Sequence, residues 1–426
     1  EVFVSKMKLY GGYSRAAKKS GAAVAGEKKK KRKRTAVDRI ISVLLVLVAL
    51  EGLYCTAVFS DLGFIKKYRE MWIQTAMSTM RHQWLATAFL PSCVIDEVMA
   101  KVERAQQAQV GVNTQWTEED QKPEETEPTV ATPEDEFYEL FWELDRSSME
   151  RYIKENPDTL SGGWGKISIN EAGLDDDGTS IQTTMGEQVL AIDAANKTLV
   201  VRVSGSGYRG ALVIAKDPAQ LSIYPAKNLG SVGENAGSIA ERHNGIVAMT
   251  ASGFIDDGGN GNGGTLAGYA MMNGEERGQH MYSGYYKRLE LHEDNHFYIT
   301  DIGNAVNAET TDAVEFTPAL IVDGKVLVDE NNDWNGLNPR ACIGQSEKGE
   351  ILMLAIEGRL ASSLGTGVAE CAKILKSHDC MQAMNLDGGT SAILWYDGEY
   401  IIRCSNQALP AGRTLPNAFV YEKLAN

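Results

Sequence analysis

A basic cluster followed by a long apolar run constrains this chain more than any other feature of its 426 residues. Seven consecutive basic residues occupy positions 28–34, and residues 40–59 then read IISVLLVLVALEGLYCTAVF, with Glu51 as the one charged side chain. Such a run has about the length that a helix needs to cross the hydrocarbon core of a bilayer. Because basic residues flank the cytoplasmic end of a membrane span, we predict a basic cytoplasmic arm at residues 1–35 and a transmembrane anchor at residues 36–60.

A signal peptide that is removed after export is the alternative interpretation of this run. The basic region before it is long, and the run ends without a clear small-x-small cleavage site. A retained anchor is therefore preferred, and Lys66, Lys67 and Arg69 beyond the run are too few to reverse the charge bias. This orientation predicts a single-pass protein of the cell membrane with a cytoplasmic N-terminus and an extracellular domain. Because the sequence begins with Glu1 and Met7 is an alternative start, the residues before Met7 enter no prediction.

Three further segments follow the predicted anchor. Residues 61–112 carry aromatic and aliphatic side chains at roughly helical intervals, which predicts a helical juxtamembrane segment. Residues 113–136 are acidic and contain three prolines, a composition typical of a linker that cannot bury enough apolar surface to order itself. Residues 137–426 form the predicted extracellular domain.

The sequence of this domain is typical of a strand-rich fold. AGYAMMNGEE, LIVDGKVLV and AILWYDGEYII each place an Asn-Gly or Asp-Gly pair between short apolar runs, a pattern that predicts β-hairpins. One amphipathic helix is predicted at about 366–377. We therefore predict an α+β fold with mixed, mostly antiparallel sheets and a few helices, preceded by a single N-terminal transmembrane helix.

Charge and cysteine spacing exclude several classes of partner. The formal net charge is −15 although the first forty residues are basic, so nucleic acid is not an expected partner. The six cysteines form no CxxC pair and no zinc-spaced cluster with histidine, so neither a metal nor another cofactor is expected. We expect most of them to be small buried side chains, and a disulfide between Cys371 and Cys380 stays open. The glycine-rich residues 256–264 suit a mobile lid or an ion-binding loop.

Polar motifs are concentrated in the last ninety residues. They are Asn338-Pro339-Arg340, Glu357-Gly358-Arg359, the stretch Asn385-Leu386-Asp387-Gly388-Gly389-Thr390-Ser391, and Arg413. Polar residues at strand ends, followed by glycines, suit a place where the backbone approaches a ligand closely. Arginines beside carboxylates can hold a phosphodiester while a carboxylate acts at a sugar carbon. Taken one by one, a turn at Asp387 and surface ion pairs at the arginines remain open alternatives.

The order of these motifs resembles that of a known family. NPRACIGQ, GEILMLAIEGR, GVAECAKIL, AMNLDGGTSAILW and GRTLPNAFVY follow one another between residues 336 and 422 and resemble the phosphodiester glycosidase family. Weaker similarity in GYRGALVIAKDPAQL and AMTASGF extends the resemblance over about 137–424. The sequence departs from the family pattern where Glu357 replaces an aspartate, Thr390 a glycine and Ala392 a serine, and where Thr250 stands at a position usually held by asparagine.

The resemblance implies an enzyme that hydrolyses the glycosidic bond of a sugar-1-phosphodiester on an envelope or exopolysaccharide glycan, releasing free sugar and a phosphomonoester. It implies catalytic roles for Asp387, Glu357, Arg359 and Arg340, with Asp387 preferred over Glu357 as the reacting carboxylate. The implied substrate-binding residues are Asn338, Asn385, Gly388, Gly389, Ser391, Arg413, Thr250 and Ser252. The departures leave open a non-catalytic surface module that binds phosphate-linked glycans. A structural envelope protein would explain the anchor but not the clustered polar motifs.

Overall fold

A computed structural model describes residues 35–116, 131–257, 260–281, 283–328 and 336–424. Within the chain, Glu1–Thr56 and Ala57–Asn426 are two compact units. The predicted basic arm up to residue 34 and residues 117–130 of the predicted linker lie outside the described residues.

Helix α1, Ala36–Phe59, contains the long apolar run. Its 24 residues correspond to a length of about 36 Å. Reciprocal hydrogen bonds cap its start, since the Thr35 N–H donates to Oδ2 of Asp38 and the Asp38 N–H donates to Oγ1 of Thr35. The helix is long and apolar enough to cross a membrane, and a signal sequence would meet the same two criteria.

Three helices make up the predicted juxtamembrane segment. They are α2 (Gly63–Met77), α3 (Trp84–Thr87) and α4 (Ser92–Gln107). Pro91 precedes the first residue of α4, where a missing N–H costs no intrahelical bond. The three helices pack around a small apolar cluster formed by Ile73, Ala76, Ala86, Ile95 and Val98.

Strands dominate the rest of the described chain. In chain order they are β1 (Ser168–Asn170), β2 (Val189–Asp193), β3 (Thr198–Gly205), β4 (Tyr208–Ala215), β5 (Leu221–Pro225), β6 (Gly245–Thr250), β7 (Gly253–Phe254), β8 (Leu266–Ala267), β9 (Tyr269–Met272), β10 (Glu275–Gly278), β11 (Lys287–His292), β12 (Phe297–Asp301), β13 (Thr310–Phe316), β14 (Ala319–Val322), β15 (Lys325–Val326), β16 (Arg340–Ser346), β17 (Ile351–Ile356), β18 (Cys380–Asn385), β19 (Leu394–Tyr396), β20 (Glu399–Tyr400) and β21 (Asn417–Glu422).

These strands form three large sheets and one small ribbon. The central sheet has nine strands in the order β1-β2-β3-β4-β17-β16-β18-β14-β15. Two five-stranded sheets have the orders β10-β9-β13-β11-β12 and β20-β19-β6-β21-β5, and β7 pairs with β8. Neighbouring strands within the described sheets are antiparallel.

Four more helices complete the fold, and the core lies on both faces of the central sheet. They are α5 (Pro133–Leu140), α6 (Arg146–Glu155), α7 (Ala236–Arg242) and α8 (Val368–Ser377). One face packs on α5, α6 and α8, and the other face packs on the two five-stranded sheets. Helix α7 packs on β6 and β21. The alternation of side chains along each strand divides the buried residues between the two faces.

The pairing of three central strands brings the polar motifs to one edge of the sheet. Strand β16 lies between β17 and β18 and is antiparallel to both. Arg340, the first residue of β16, pairs with Ile356 at the end of β17, and Cys342 pairs with Asn385 at the end of β18. The segments that precede β16 and follow β17 and β18 therefore meet.

The α+β prediction with mostly antiparallel sheets is confirmed, and each predicted hairpin is present as β9–β10, β14–β15 or β19–β20. The described residues differ from the predicted linker at both of its ends. Thr114 N–H donates to the carbonyl of Ile299 at 2.9 Å and Trp116 Nε1 donates to that of Phe297 at 2.9 Å, so residues 113–116 pack on the domain. At the other end, α5 begins at Pro133.

The six cysteines are described as free thiols, so Cys371 and Cys380 are not bridged. Cys55 and Cys93 are exposed and depart from the expected burial. The other cysteines are buried in the domain.

Candidate functional site

Asp387 lies at this edge of the central sheet, and its surroundings shift the pKa of its carboxyl. Burial raises the pKa of its carboxyl to about 6, and the charge of Asp256 adds to the rise. A hydrogen bond from Ser391, the charge of Arg413 and the Gly388 backbone oppose that rise in pKa. A carboxyl with a pKa near neutrality can exchange a proton under physiological conditions, which is the property that general acid–base chemistry requires.

The charge of Asp387 acts on Arg359, whose side chain is held by Asn338 and lies close to Gly389. Its Nη2 donates to Oδ1 of Asn338 at 2.7 Å. A Cβ placed on Gly389 would lie 3.1 Å from Nη1 of Arg359, and the φ of +62° at Gly389 favours glycine at that position. Loss of surrounding water lowers the pKa of Arg359, nearby Arg340 lowers it further, and Asp387 opposes both effects.

Arg413 makes a bidentate ion pair with a residue that the sequence did not single out. Nη1 and Nη2 of Arg413 donate to the two carboxylate oxygens of Asp256 at 2.6 and 3.0 Å, and Nη2 also donates to the Gly261 carbonyl at 2.6 Å. The guanidinium lies 4.5 Å from the centre of the Phe254 ring. The Arg413 hydrogen bonds lower the pKa of Asp256, because they favour its ionised form. Asp256 belongs to the predicted glycine-rich loop, but nothing in that loop's spacing indicated a partner.

Arg340 is buried, and its described hydrogen bonds go to backbone carbonyls. Its Nε donates to the Thr366 carbonyl at 3.0 Å and its Nη2 donates to the Gly336 carbonyl at 2.7 Å. These bonds tie together the segment before β16 and the segment before α8. The geometry therefore favours a scaffolding role for Arg340 over contact with a phosphate.

Glu357 is also buried, and its contacts lead to a different part of the domain. Oε1 of Glu357 accepts a hydrogen bond from the Arg403 N–H at 2.8 Å, whereas Oε2 has no partner among the described residues. Its charge acts on Arg202. The described contacts thus link Glu357 to these two arginines, while the carboxylate that acts on Asp387 is Asp256.

Three of the expected substrate-binding side chains are engaged in internal hydrogen bonds. Asn385 Nδ2 donates to the Thr317 carbonyl at 2.8 Å. The Thr250 hydroxyl donates to the Ser391 carbonyl, and the Ser252 hydroxyl accepts from Nδ2 of Asn417 at 3.0 Å. Asn385, Thr250 and Ser252 are buried. Their bonds hold β18 to the segment before β14, β6 to the segment before β19, and the residues after β6 to β21.

Tyr286 is a second residue that the sequence did not reveal. Burial raises the pKa of its hydroxyl to about 12, and the charges of Tyr285 and Asp387 contribute to the rise. Its ring meets Phe316 edge-on, with centroids 6.4 Å apart. The phenol therefore stays protonated at neutral pH and lies near Asp387 as a potential hydrogen-bond donor.

The described residues include no group of three or more His, Cys, Asp or Glu side chains suited to hold a metal ion. A cavity of about 730 Å³ lies next to the glycine-rich loop and is lined in part by Ile255, the residue before Asp256.

The contacts above bring seven of the predicted residues together, and Asp256 and Tyr286 join them. The seven are Asp387, Gly388, Gly389, Ser391, Arg359, Asn338 and Arg413.

Comparison with known proteins agrees with this arrangement of motifs. The family model of the phosphodiester glycosidases matches residues 243–422. Residues 243–422, less than half of the chain, are thus similar to this family. The family segment contains Asp387, Arg359, Arg413, Asp256 and Tyr286, and the preceding β1–β5 share sheets with its strands.

Individual similar proteins cover smaller parts or share only low identity. The SPbeta prophage-derived uncharacterized protein YomE of Bacillus subtilis (strain 168) is 31% identical over 90 residues, which span 20% of this chain and 14% of that protein. The catalytic domain of zebrafish N-acetylglucosamine-1-phosphodiester alpha-N-acetylglucosaminidase, auto-inhibited by its pro-peptide, matches with a TM-score of 0.44 and 15% identity, over 53% of this chain and 82% of that chain. A hypothetical protein from Synechocystis matches with a TM-score of 0.40 and 14% identity. The match covers 55% of this chain and 63% of the Synechocystis chain.

Proposed function

We propose that the phosphodiester glycosidase domain hydrolyses the bond between C1 of a sugar and a phosphodiester oxygen. The observation that carries this proposal is the carboxyl of Asp387, whose pKa is raised to about 6 and whose charge interacts with Arg359 and Arg413. A carboxylate beside two guanidinium groups provides for both halves of the reaction, namely a sugar carbon that becomes positive and a phosphate that leaves with negative charge.

The proposed reaction proceeds through an oxocarbenium-like transition state. The oxygen of a water molecule bonds to C1, the bond from C1 to the phosphate oxygen breaks, and the water proton passes to a base. Because the second pKa of a phosphomonoester is about 6, the leaving group needs cations more than it needs a proton. Arg359 and Arg413 are assigned to that charge, and ionised Asp387 activates the water or stabilises the sugar cation.

The remaining residues receive supporting roles in this proposal. The Gly388 N–H and the Ser391 hydroxyl orient Asp387. Asn338 orients Arg359, and Arg340 fixes the segment that carries Asn338. Glu357 is assigned to the domain scaffold.

The proposed setting is the outer face of a cell membrane. Helix α1 would act as a retained single-pass anchor with the basic arm in the cytoplasm, and the substrate would be a phosphate-linked glycan of the envelope or an exopolysaccharide. The length and apolar composition of α1 support this topology. Protease treatment of intact cells tests it, since digestion of the domain while an N-terminal epitope survives is expected, and the opposite pattern would refute the orientation.

The test of the reaction uses the full chain in detergent, N-acetylglucosamine-1-phosphate methyl diester and water enriched in ¹⁸O. We expect free N-acetylglucosamine that contains one ¹⁸O atom and unlabelled methyl phosphate. Methanol together with labelled sugar phosphate would show attack at phosphorus and would refute the proposal. Several sugars at the same position would define the specificity.

A module that binds phosphate-linked glycans without cleaving them is the second candidate. The departures from the family pattern at Thr250 and Glu357 favour it. Asp387→Asn distinguishes the two functions. The substitution should abolish turnover by an enzyme, whereas a binding module would have no turnover to lose and would retain its affinity for the diester.

A further inference from the structure

The last turn of helix α2 and the residue that follows it contact the segment that leads into the candidate site. Oγ1 of Thr75 accepts a hydrogen bond from the Leu337 N–H at 3.0 Å. Oγ of Ser78 accepts one from Nδ2 of Asn338 at 3.0 Å. Residues from the juxtamembrane helices thus bond to a backbone group and a side chain immediately before β16.

The hydrogen-bond directions define a relay from Ser78 to Arg359. The Ser78 hydroxyl donates to the Thr75 carbonyl at 3.0 Å, which leaves its oxygen lone pairs available to Asn338. The Asn338 amide uses its nitrogen on Ser78 and its oxygen on Nη2 of Arg359, at 2.7 Å. Because a guanidinium only donates, Arg359 selects the amide oxygen, and the bond from Nδ2 to Ser78 holds the amide in place.

The close approach of the two segments depends on a glycine. A Cβ on Gly336 would lie 2.4 Å from Oγ1 of Thr75, and Gly336 has a φ of +57°. Both the space and the backbone conformation therefore favour glycine there. The Gly336 carbonyl is in turn held by Nη2 of Arg340 at 2.7 Å. The segment at residues 336–337 is therefore held by Thr75 on one side and by Arg340 on the other.

Arg81, which follows helix α2, forms a hydrogen bond to the loop that carries Asp256. Nη2 of Arg81 donates to Oδ1 of Asn260 at 2.8 Å. The next residue, Gly261, donates its N–H to Oδ1 of Asp256 at 2.6 Å and accepts from Arg413 through its carbonyl at 2.6 Å. Residues 75–81 therefore form hydrogen bonds to the segments that hold Arg359 and Arg413, the two arginines assigned to the phosphate.

We propose that Ser78 is a positioning residue for Arg359, so that the juxtamembrane helices complete the substrate site of the phosphodiester glycosidase domain. The assignment of Arg359 to the phosphate rests on the proposed function, whereas the relay from Ser78 through Asn338 rests on geometry alone. A domain without residues 63–107 would lack one wall of its site.

The kinetic test compares variants of the full chain in detergent on the sugar-1-phosphate methyl diester. Ser78→Ala should lower kcat/KM about tenfold, the order of one lost hydrogen bond that orients a charged group. The loss should fall on both KM and kcat, because Arg359 holds the bound diester and stabilises the charge that the leaving phosphate gains. Ser78→Thr keeps a hydroxyl and should restore most of the activity.

The matched control is Ser377→Ala. The Ser377 hydroxyl also donates to a carbonyl three residues earlier at the end of a helix, here that of Ile374, but its described hydrogen bond stays within that helix and does not lead to the site. This variant should retain the kinetics of the unchanged protein. An equal loss in Ser377→Ala and Ser78→Ala would overturn the proposal, because helix stability alone would then explain it.

A second readout separates this inference from the proposed function. The Arg359 Nε–H signal in ¹⁵N-arginine-labelled protein, assigned by its absence in Arg359→Lys, should shift or broaden in Ser78→Ala and stay in place in Ser377→Ala. If the unchanged protein cleaves no diester but the signal responds, the proposed function fails and the relay stands. An unchanged Arg359 signal in Ser78→Ala would overturn the relay whatever the kinetics show.

Discussion

The carboxyl groups of Asp256 and Asp387 titrate in different pH ranges although the charge of Asp256 acts on Asp387. Hydrogen bonds from Arg413 lower the pKa of Asp256. Burial, assisted by the charge of Asp256, raises the pKa of Asp387 to about 6. Near pH 5 Asp256 is ionised while Asp387 is mostly protonated, and near pH 7.5 both are ionised. Two carboxyls with separated pKa values can divide the tasks of a glycosidase between them.

The pH dependence of kcat/KM should report the ionisation of Asp387. If the ionised carboxylate is the reactive form, kcat/KM falls about tenfold per pH unit below 6 and is constant above about 7. Asp387→Asn should lower kcat by at least about 100-fold and remove this dependence. Asp397→Asn is the control, since Asp397 is exposed and pairs with Lys423. A rate that falls as the pH rises through 6 would instead make Asp387 a proton donor.

Asp256→Asn should move the same pH profile to lower pH. The negative charge of Asp256 raises the pKa of Asp387, so its removal makes Asp387 easier to ionise. The substitution also weakens the ion pair with Arg413, whose charge lowers the pKa of Asp387. Both effects have the same sign, and a pH–rate series on the variant measures their sum. Asp257→Asn removes an exposed neighbouring charge and should leave the profile in place. A shift to higher pH would contradict this electrostatic account.

Glu357→Gln should affect activity far less than Asp387→Asn. The described hydrogen bond of the Glu357 side chain goes to the Arg403 N–H, which a glutamine oxygen can also accept. We expect kcat within about threefold of the unchanged protein, against a loss of at least about 100-fold expected of a general base. Steady-state kinetics on the two variants side by side make the comparison. A loss in Glu357→Gln as large as that in Asp387→Asn would return Glu357 to the reacting groups.

The sequence predicted the elements of the fold and seven of the nine residues grouped at the candidate site. Hairpin turns and strand alternation are local signals, and the motif order is linear, so both can be read along the chain. The face of the sheet on which a side chain lies depends on the register of the strands, which the linear sequence does not give. Arg340 alternates with Ala341 along β16 and so shares the face of Cys342, which packs with helix α8. Asp256 lies 157 residues before Arg413, and only the tertiary fold brings this pair together.

A buried charge cluster outside the site gives a prediction for stability. Nζ of Lys216 lies 2.6 Å from Glu143 and 2.7 Å from Glu350, and these side chains are 3%, 2% and 7% exposed. Lys216→Met leaves two carboxylates buried without their cation, so the free energy of unfolding at pH 7.5 should fall by about 3–5 kcal/mol. Urea unfolding of the full chain in detergent, followed by tryptophan fluorescence, measures it. Trp142 donates to Glu350 at 3.0 Å and so provides a local probe.

The control for this cluster and its pH dependence complete the test. Lys197 pairs with Asp217 at 3.0 Å but is 40% exposed, so Lys197→Met should cost about 1 kcal/mol or less. Burial already raises the pKa of Glu143, and loss of Lys216 would raise it further. A carboxyl whose folded pKa lies above its unfolded pKa destabilises the protein increasingly as the pH rises. The penalty of Lys216→Met should therefore be smaller at pH 5 than at pH 7.5, and a penalty that grows on acidification would show that the two carboxylates do not carry it.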